Sequence, residues 1–129
     1  MQHHFHRPAI LAGILGFVVL LTAAAQALKF PGGTFRATDP ENNKIAITFD
    51  SAGALNVFVN DQSFAQSTWQ VKADTITFGT VTGTEGSVCA TSAKYLWAFK
   101  DNRLSFTGVG TDDCAQRRDP LLGLTWTKG

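Results

Sequence analysis

The sequence predicts an all-β domain: eight short antiparallel strands in an up-and-down barrel, held by one disulfide. Three observations predict it. Apolar and polar residues alternate in short runs broken by Gly, Asp and Asn, the period of half-buried strands. The runs come in pairs joined by two or three residues, and within each pair the turn and the apolar rows agree on one register. The two cysteines, Cys89 and Cys114, lie at equal distances from the Asp101-Asn102 step of the third hairpin.

The chain of 129 residues opens on MQHHFHRPAILAGILGFVVLLTAAAQA. A lone Arg7, an apolar run from Ile10 to Leu21 and small residues ending in Ala25-Gln26-Ala27 form the three parts of a secretory signal, with cleavage after Ala27. As a helix the apolar run is only about 18 Å long, against roughly 30 Å of bilayer hydrocarbon. A signal peptide over 1–27 and a barrel domain over 28–129 are therefore expected, with no stable membrane anchor after cleavage. The leader takes with it His3, His4 and His6, all the histidine of the chain, and Arg7. Ten Lys and Arg then face ten Asp and Glu. A neutral surface with no basic run argues against nucleic acid as a partner. Two cysteines in a small exported domain read as one disulfide formed in an oxidising space, secreted or periplasmic.

The strands follow in order. GTFRAT (33–38) opens the domain. KIAITFD and ALNVFVN form a hairpin about Ser51-Ala52-Gly53, which sets Phe49 against Leu55, Ile47 against Val57 and Ile45 against Val59. Gly53 ends this three-residue loop, where a left-handed residue is needed. STWQVK (67–72) and TITFGTV (75–81) pair about Ala73-Asp74, with Val71 across from Ile76 and Trp69 across from Phe78. In the third hairpin Lys100 meets Arg103, so Phe99 faces Leu104, Trp97 faces Phe106 and Tyr95 faces Gly108.

Continuing that ladder brings Cys89 opposite Cys114, as a clamp on the open end of the ribbon. The Gly-, Thr- and Ser-rich flanks leave a second arrangement open, in which the sulfurs meet across loops. Either closure stabilises by roughly 3–4 kcal/mol in the chain-entropy picture. AQRRDP reads as one helical turn stopped by Pro120, and LLGLTWTK (121–128) as the last strand. Short hairpins make sequence neighbours spatial neighbours, which favours a closed barrel over a sandwich with long crossing connections.

Gly33-Thr34-Phe35-Arg36 resembles the Gly-x-Trp start of calycins, the superfamily of lipocalins, fatty-acid-binding proteins and avidins, with Phe35 in place of the usual Trp. ITFDSAG, VKADTITF, YLWAFKDNRLSF and TDDCAQRR are similar to stretches of small exported bacterial lipocalin-like barrels. The resemblance implies an eight-stranded barrel, often with an internal apolar cavity, and fixes no ligand. It also implies a cation, Arg117 or Arg118, packed across an aromatic ring at the closed end of the barrel.

No enzyme is expected. Without histidine there is no Ser-His-Asp or Cys-His site, and the cysteines are expected to be paired. Asp112, Asp113, Arg117, Arg118 and Asp119 form a polar cluster, read chiefly as a surface ion-pair group shaping the loop after the disulfide. Asp39, Glu41, Asn42 and Asn43 around Pro40 read as a turn, because they lack the spacing of a calcium loop. No metal or cofactor is expected. The inward row is the binding candidate: Phe35, Ile47, Phe49, Val57, Trp69, Phe78, Tyr95, Trp97, Phe99, Phe106 and Trp126 line the interior, with Ile45, Leu55, Val59, Val71, Ile76 and Leu104 in the same rows. Phe58 and Leu96 point outward. An eight-stranded barrel is just wide enough to be filled by side chains or to hold one small ligand. Two readings follow: an exported barrel binding a small hydrophobic molecule, or a filled barrel presenting loops 81–93 and 110–120 to a protein partner.

Overall fold

The computed structural model describes residues 29–84 and 88–129. The expected leader, 1–27, lies outside the described residues, as do Leu28 and residues 85–87 of loop 81–93. The described chain forms β1 (Gly33–Thr38), β2 (Lys44–Phe49), β3 (Ala54–Val59), β4 (Gln62–Lys72) and β5 (Thr75–Phe78). It continues through β6 (Thr82–Gly83), β7 (Ala93–Lys100), β8 (Arg103–Gly108), α1 (Ala115–Gly123) and β9 (Trp126–Lys128).

The strands run in the order β3-β2-β1-β9-β8-β7-β5-β4, and pairing of β3 with β4 closes the ring. Every pair is antiparallel. The fold is the expected eight-stranded barrel, with β6 as an extra strand on β4. The first and last strands meet: Phe35 pairs with Lys128 and Arg36 with Thr127. Trp97 and Phe106 lie inside.

All three hairpin registers are as expected. Phe49 pairs with Leu55 and Ile45 with Val59, Trp69 with Phe78 and Val71 with Ile76, and Trp97 with Phe106 and Phe99 with Leu104. Local chemistry explains the turns. Asp50 caps its loop by accepting from Ala52 N and Ala54 N through Oδ1, both at 2.9 Å, and Gly53 takes the left-handed φ of 91°. Asp101 and Asn102 both have positive φ, 52° and 65°, as a type I′ turn requires.

Four expectations need correction. First, β4 begins at Gln62, five residues earlier than predicted. Asn60 and Asp61, at φ 51° and 68°, make a two-residue turn directly after β3. A bulge then follows: Val57 pairs with Ala65 and Phe58 with Ser63, so Phe64 is the extra residue. Second, β5 stops at Phe78, three residues early. Gly79 still donates its N–H to Thr68 O at 3.0 Å and lies so close to that strand that a Cβ there would stand 2.2 Å from Thr68 Oγ1.

Third, the helix is nine residues long and runs through Pro120 to Gly123, leaving only Trp126–Lys128 as strand. The reason is burial at helical spacing: Arg117 and Leu121, one turn apart, are its two buried residues, and seating them on the barrel outweighs the bond that Pro120 cannot make. Fourth, of the two arrangements open to the disulfide, the one that extends the β7–β8 ribbon is not formed. Cys89 pairs instead with Val81 in an isolated bridge, and Cys114 is the residue before α1. The sulfurs meet across loops, with Cα atoms 5.7 Å apart.

Candidate functional site

The two ends of the barrel are closed by different means, and the difference creates the site. One end carries the tight turns 50–53, 73–74 and 101–102, and the segment that enters β1. There Phe30 places its ring 5.1 Å from Phe49, 5.2 Å from Trp69 and 5.1 Å from Trp97. Phe35 adds contacts to Phe49 at 5.9 Å and Phe99 at 6.0 Å. These are edge-on or tilted arrangements, which attract through the ring quadrupoles. The indole N–H groups at this end are satisfied too. Trp69 Nε1 donates to the carbonyls of Asp50 and Ala54 at 3.0 and 3.1 Å, and Trp97 Nε1 to Ala73 O at 2.9 Å.

The cation expected across an aromatic ring also belongs to this end, but it is Lys128. Its Nζ stands 5.3 Å from the centre of the Phe35 ring and donates to Gly32 O at 2.7 Å. Neither Arg117 nor Arg118 takes that role, because α1 sits at the opposite mouth.

At that opposite mouth α1 and an arm described over residues 79–84 and 88–89 border the opening. Arg117 and Asp112, each only 8% exposed, form a two-pronged ion pair: Nε to Oδ2 at 2.8 Å and Nη2 to Oδ1 at 2.7 Å. Arg117 Nη1 also donates to Gly79 O at 3.1 Å and Thr91 O at 2.9 Å. Tyr95 reaches up from the barrel wall to donate to Asp112 Oδ2, and Cys114 N donates to Oδ1 at 3.0 Å. The expected surface ion pair is therefore buried, and it fastens α1 to three segments of the barrel. The Arg117 guanidinium holds the Asp112 carboxyl down to about 2 against the opposing cost of burial, and in return the pair raises Arg117. Burial, then the Asp112 carboxylate, pushes the Tyr95 hydroxyl well up. Of the rest of the predicted cluster, Asp113 is exposed. Arg118 donates to Asp112 O at 3.1 Å and pairs with exposed Asp119 on the surface. Asp39 caps its own turn through Asn43 and Glu41.

Beneath this cover lies a cavity of about 140 Å³. Ile45, Ile47, Leu55, Val57 and Val59 of β2 and β3 form one wall, and Ala65 and Ser67 of β4 continue it. Phe78, Val81 and Cys89 stand on the side of the arm. Leu121 and Pro120 of α1 form the roof, and Trp126 of β9 closes the ring. Phe64 and Gln116 are exposed lining residues, so the cavity meets the surface where they stand. Phe64 is there because of the β4 bulge, which turns it towards the rim. Ser67 donates its hydroxyl to Thr80 O and Gly79 O at 3.0 and 3.2 Å. Trp126 is 1% exposed, and its Nε1 is the one buried side-chain nitrogen or oxygen without a partner among the described residues.

Of the predicted binding residues, Ile47, Val57, Phe78 and Trp126 line the cavity. Phe35, Phe49, Trp69, Trp97 and Phe99 instead pack the far end, where Phe99 is 36% exposed. Tyr95 and Phe106 fill the middle of the barrel, packed on Phe78 at 5.8 Å each. Leu96 is exposed as expected, and Phe58 is half-buried. Phe64, Ala65 and Leu121 are among the lining residues not foreseen, and Arg117, expected in a polar cluster or across a ring, was not foreseen beside Leu121 over the cavity. The Asn60-Asp61 turn signal would have placed Phe64 and Ala65 on a strand. The i, i+4 spacing would have placed Arg117 and Leu121 on one helix face. The chain matches no protein-family model, no curated protein and no solved structure.

Proposed function

We propose that this protein is an exported, lipocalin-like carrier that binds a small apolar molecule beneath α1 and performs no chemistry on it. The observation that carries this reading is the apolar cavity of about 140 Å³ that reaches the surface beside Phe64. Its size selects the ligand: a dry cavity near 150 Å³ accepts a molecule about as large as benzene, and a long acyl chain does not fit. The paired cysteines and a carboxylate committed to Arg117 favour binding over catalysis. The disulfide favours an oxidising compartment, secreted or periplasmic. Among the described residues no helix is long and apolar enough to cross a membrane.

Benzene titration tests the reading, with melting temperature and tryptophan emission as readouts. Saturating benzene should raise the melting temperature by mass action, and Ala65→Ile, which fills the wall of the cavity, should abolish the rise. No change in either readout at any benzene concentration would overturn the proposal. It would leave the second reading, a module presenting loops 81–93 and 110–120 to a protein. One observation favours that reading: the disulfide joins Cys89 of the first segment to Cys114 of the second, a cross-link of the kind that lowers the ordering cost of binding.

A further inference from the structure

A guest reaches the cavity only where the barrel gives way. The wall does not, because the strands form a closed ring in which β3 pairs with β4. The far end is plugged by rings, with Phe30 packed against Phe49, Trp69 and Trp97. The roof is fastened at several points at once. Arg117 holds Asp112, Gly79 and Thr91, and the disulfide ties Cys114, the cap residue of α1, to Cys89. Lifting α1 means breaking those hydrogen bonds together, a local unfolding on the microsecond-to-second scale.

The rim beside Phe64 is built differently. Phe64 is the bulged residue of β4: Val57 pairs with Ala65 and Phe58 with Ser63, so no β3 residue is its partner. Its backbone is nonetheless held, because its carbonyl accepts from Thr84 N at 3.0 Å and from Thr84 Oγ1 at 3.3 Å. Its side chain is less confined. Phe64 lines the cavity and is 37% exposed, and among the described residues it meets no other aromatic ring. An exposed side chain on a fixed backbone changes rotamer within nanoseconds, far faster than a helix lifts. Gln116, the other exposed lining residue, belongs to the fastened helix.

We infer that Phe64 is the door of the cavity: the guest enters and leaves past its ring, and that ring sets the largest guest admitted. This rests on the binding reading above and adds to it the route and the size filter. A single-ring aromatic fits within about 140 Å³ and lets the door close over it. A longer guest holds the Phe64 ring out in water, which costs apolar burial. With the ring removed, a fused two-ring guest lays one ring in the cavity and the other where Phe64 stood.

The test titrates benzene and naphthalene into wild-type protein, Phe64→Ala and Phe64→Leu, following 13C-labelled leucine and valine methyl resonances. Leu55 and Val57 report from the cavity wall. Benzene should exchange about tenfold faster in Phe64→Ala, since changes at a binding site act mostly on the rate of release. The preference for naphthalene over benzene should also rise about tenfold, the scale on which an apolar pocket sorts guests by size. Phe64→Leu should fall between the other two proteins in both respects, and it decides by itself if the alanine variant fails to fold. Benzene bound as before, with either quantity unchanged in the variants, overturns the proposal and leaves the cavity standing. Exchange that quickens only when the disulfide is reduced overturns it likewise and makes the roof the route. If wild-type protein binds no benzene, the binding reading fails and the door with it.

Discussion

The two mouths of this barrel face the same physical problem, covering the ends of an apolar interior, and meet it in opposite ways. The end that carries the three tight turns is filled by interlocking rings. Phe30 drops between Phe49, Trp69 and Trp97, and each indole finds a backbone carbonyl. The other end is roofed by α1, fixed through a disulfide and a buried ion pair. Rings pack against rings without residue. A helix laid over a mouth touches it only at its buried face, here Arg117 and Leu121, and leaves space below. Flat aromatic plugs exclude guests, whereas a roof held at its edges keeps room for one.

The comparison can be broken by attacking each end separately. The largest effect is expected at the roof. Asp112→Ala leaves the Arg117 charge buried and unpaired, at a cost of about 3–5 kcal/mol. Urea denaturation should show that loss, and the Trp126 indole resonance should shift in the variant. A loss below about 1 kcal/mol would mean that the ion pair is not what holds α1 down.

Next is the plug. Phe30→Ala should cost about 2–3 kcal/mol, the lower range for a ring that is partly rather than fully buried. Its signature is spatial: the Trp69 and Trp97 indole resonances move, and Trp126 and benzene binding stay unchanged. Equal perturbation of all three would show that the ends are one cooperative unit and not two independent closures.

The smallest effect is expected from acid. Arg117 depresses the Asp112 carboxyl from 3.8 to about 2 in the folded chain. Its stabilisation is therefore fully present above pH 4 and lost as pH falls towards 2, a loss of about 2 kcal/mol. Wild-type stability measured across that window should decline by this amount more than Asp112→Ala, which has no such carboxylate to protonate. Parallel declines would remove Asp112 as the origin of the acid sensitivity.

Much of the scaffold was legible because it is local. The Ser51-Ala52-Gly53 loop, the Ala73-Asp74 step and the Asp101-Asn102 turn each join apolar rows that match, so those three registers could be worked out within one ribbon. Where two distant segments compete, the same reasoning failed. The stretch from Pro120 to Leu124 carries leucines that suit a strand or a helix. Only the barrel surface that receives Arg117 and Leu121 made it a helix. Asp112 and Arg117 were visible as a polar cluster, but their burial depends on Tyr95, Gly79 and Thr91, all far away along the chain.

The sequence by itself determined which side chains turn inward, because in a strand that is a matter of odd and even positions. The tertiary structure alone decided how deep each of them lies along the barrel axis. Depth follows from the stagger between neighbouring strands when the sheet closes, and no single ribbon contains it. That stagger sends Trp69 and Trp97 to the plug and Trp126 to the cavity, three tryptophans that all turn inward and hold different stations.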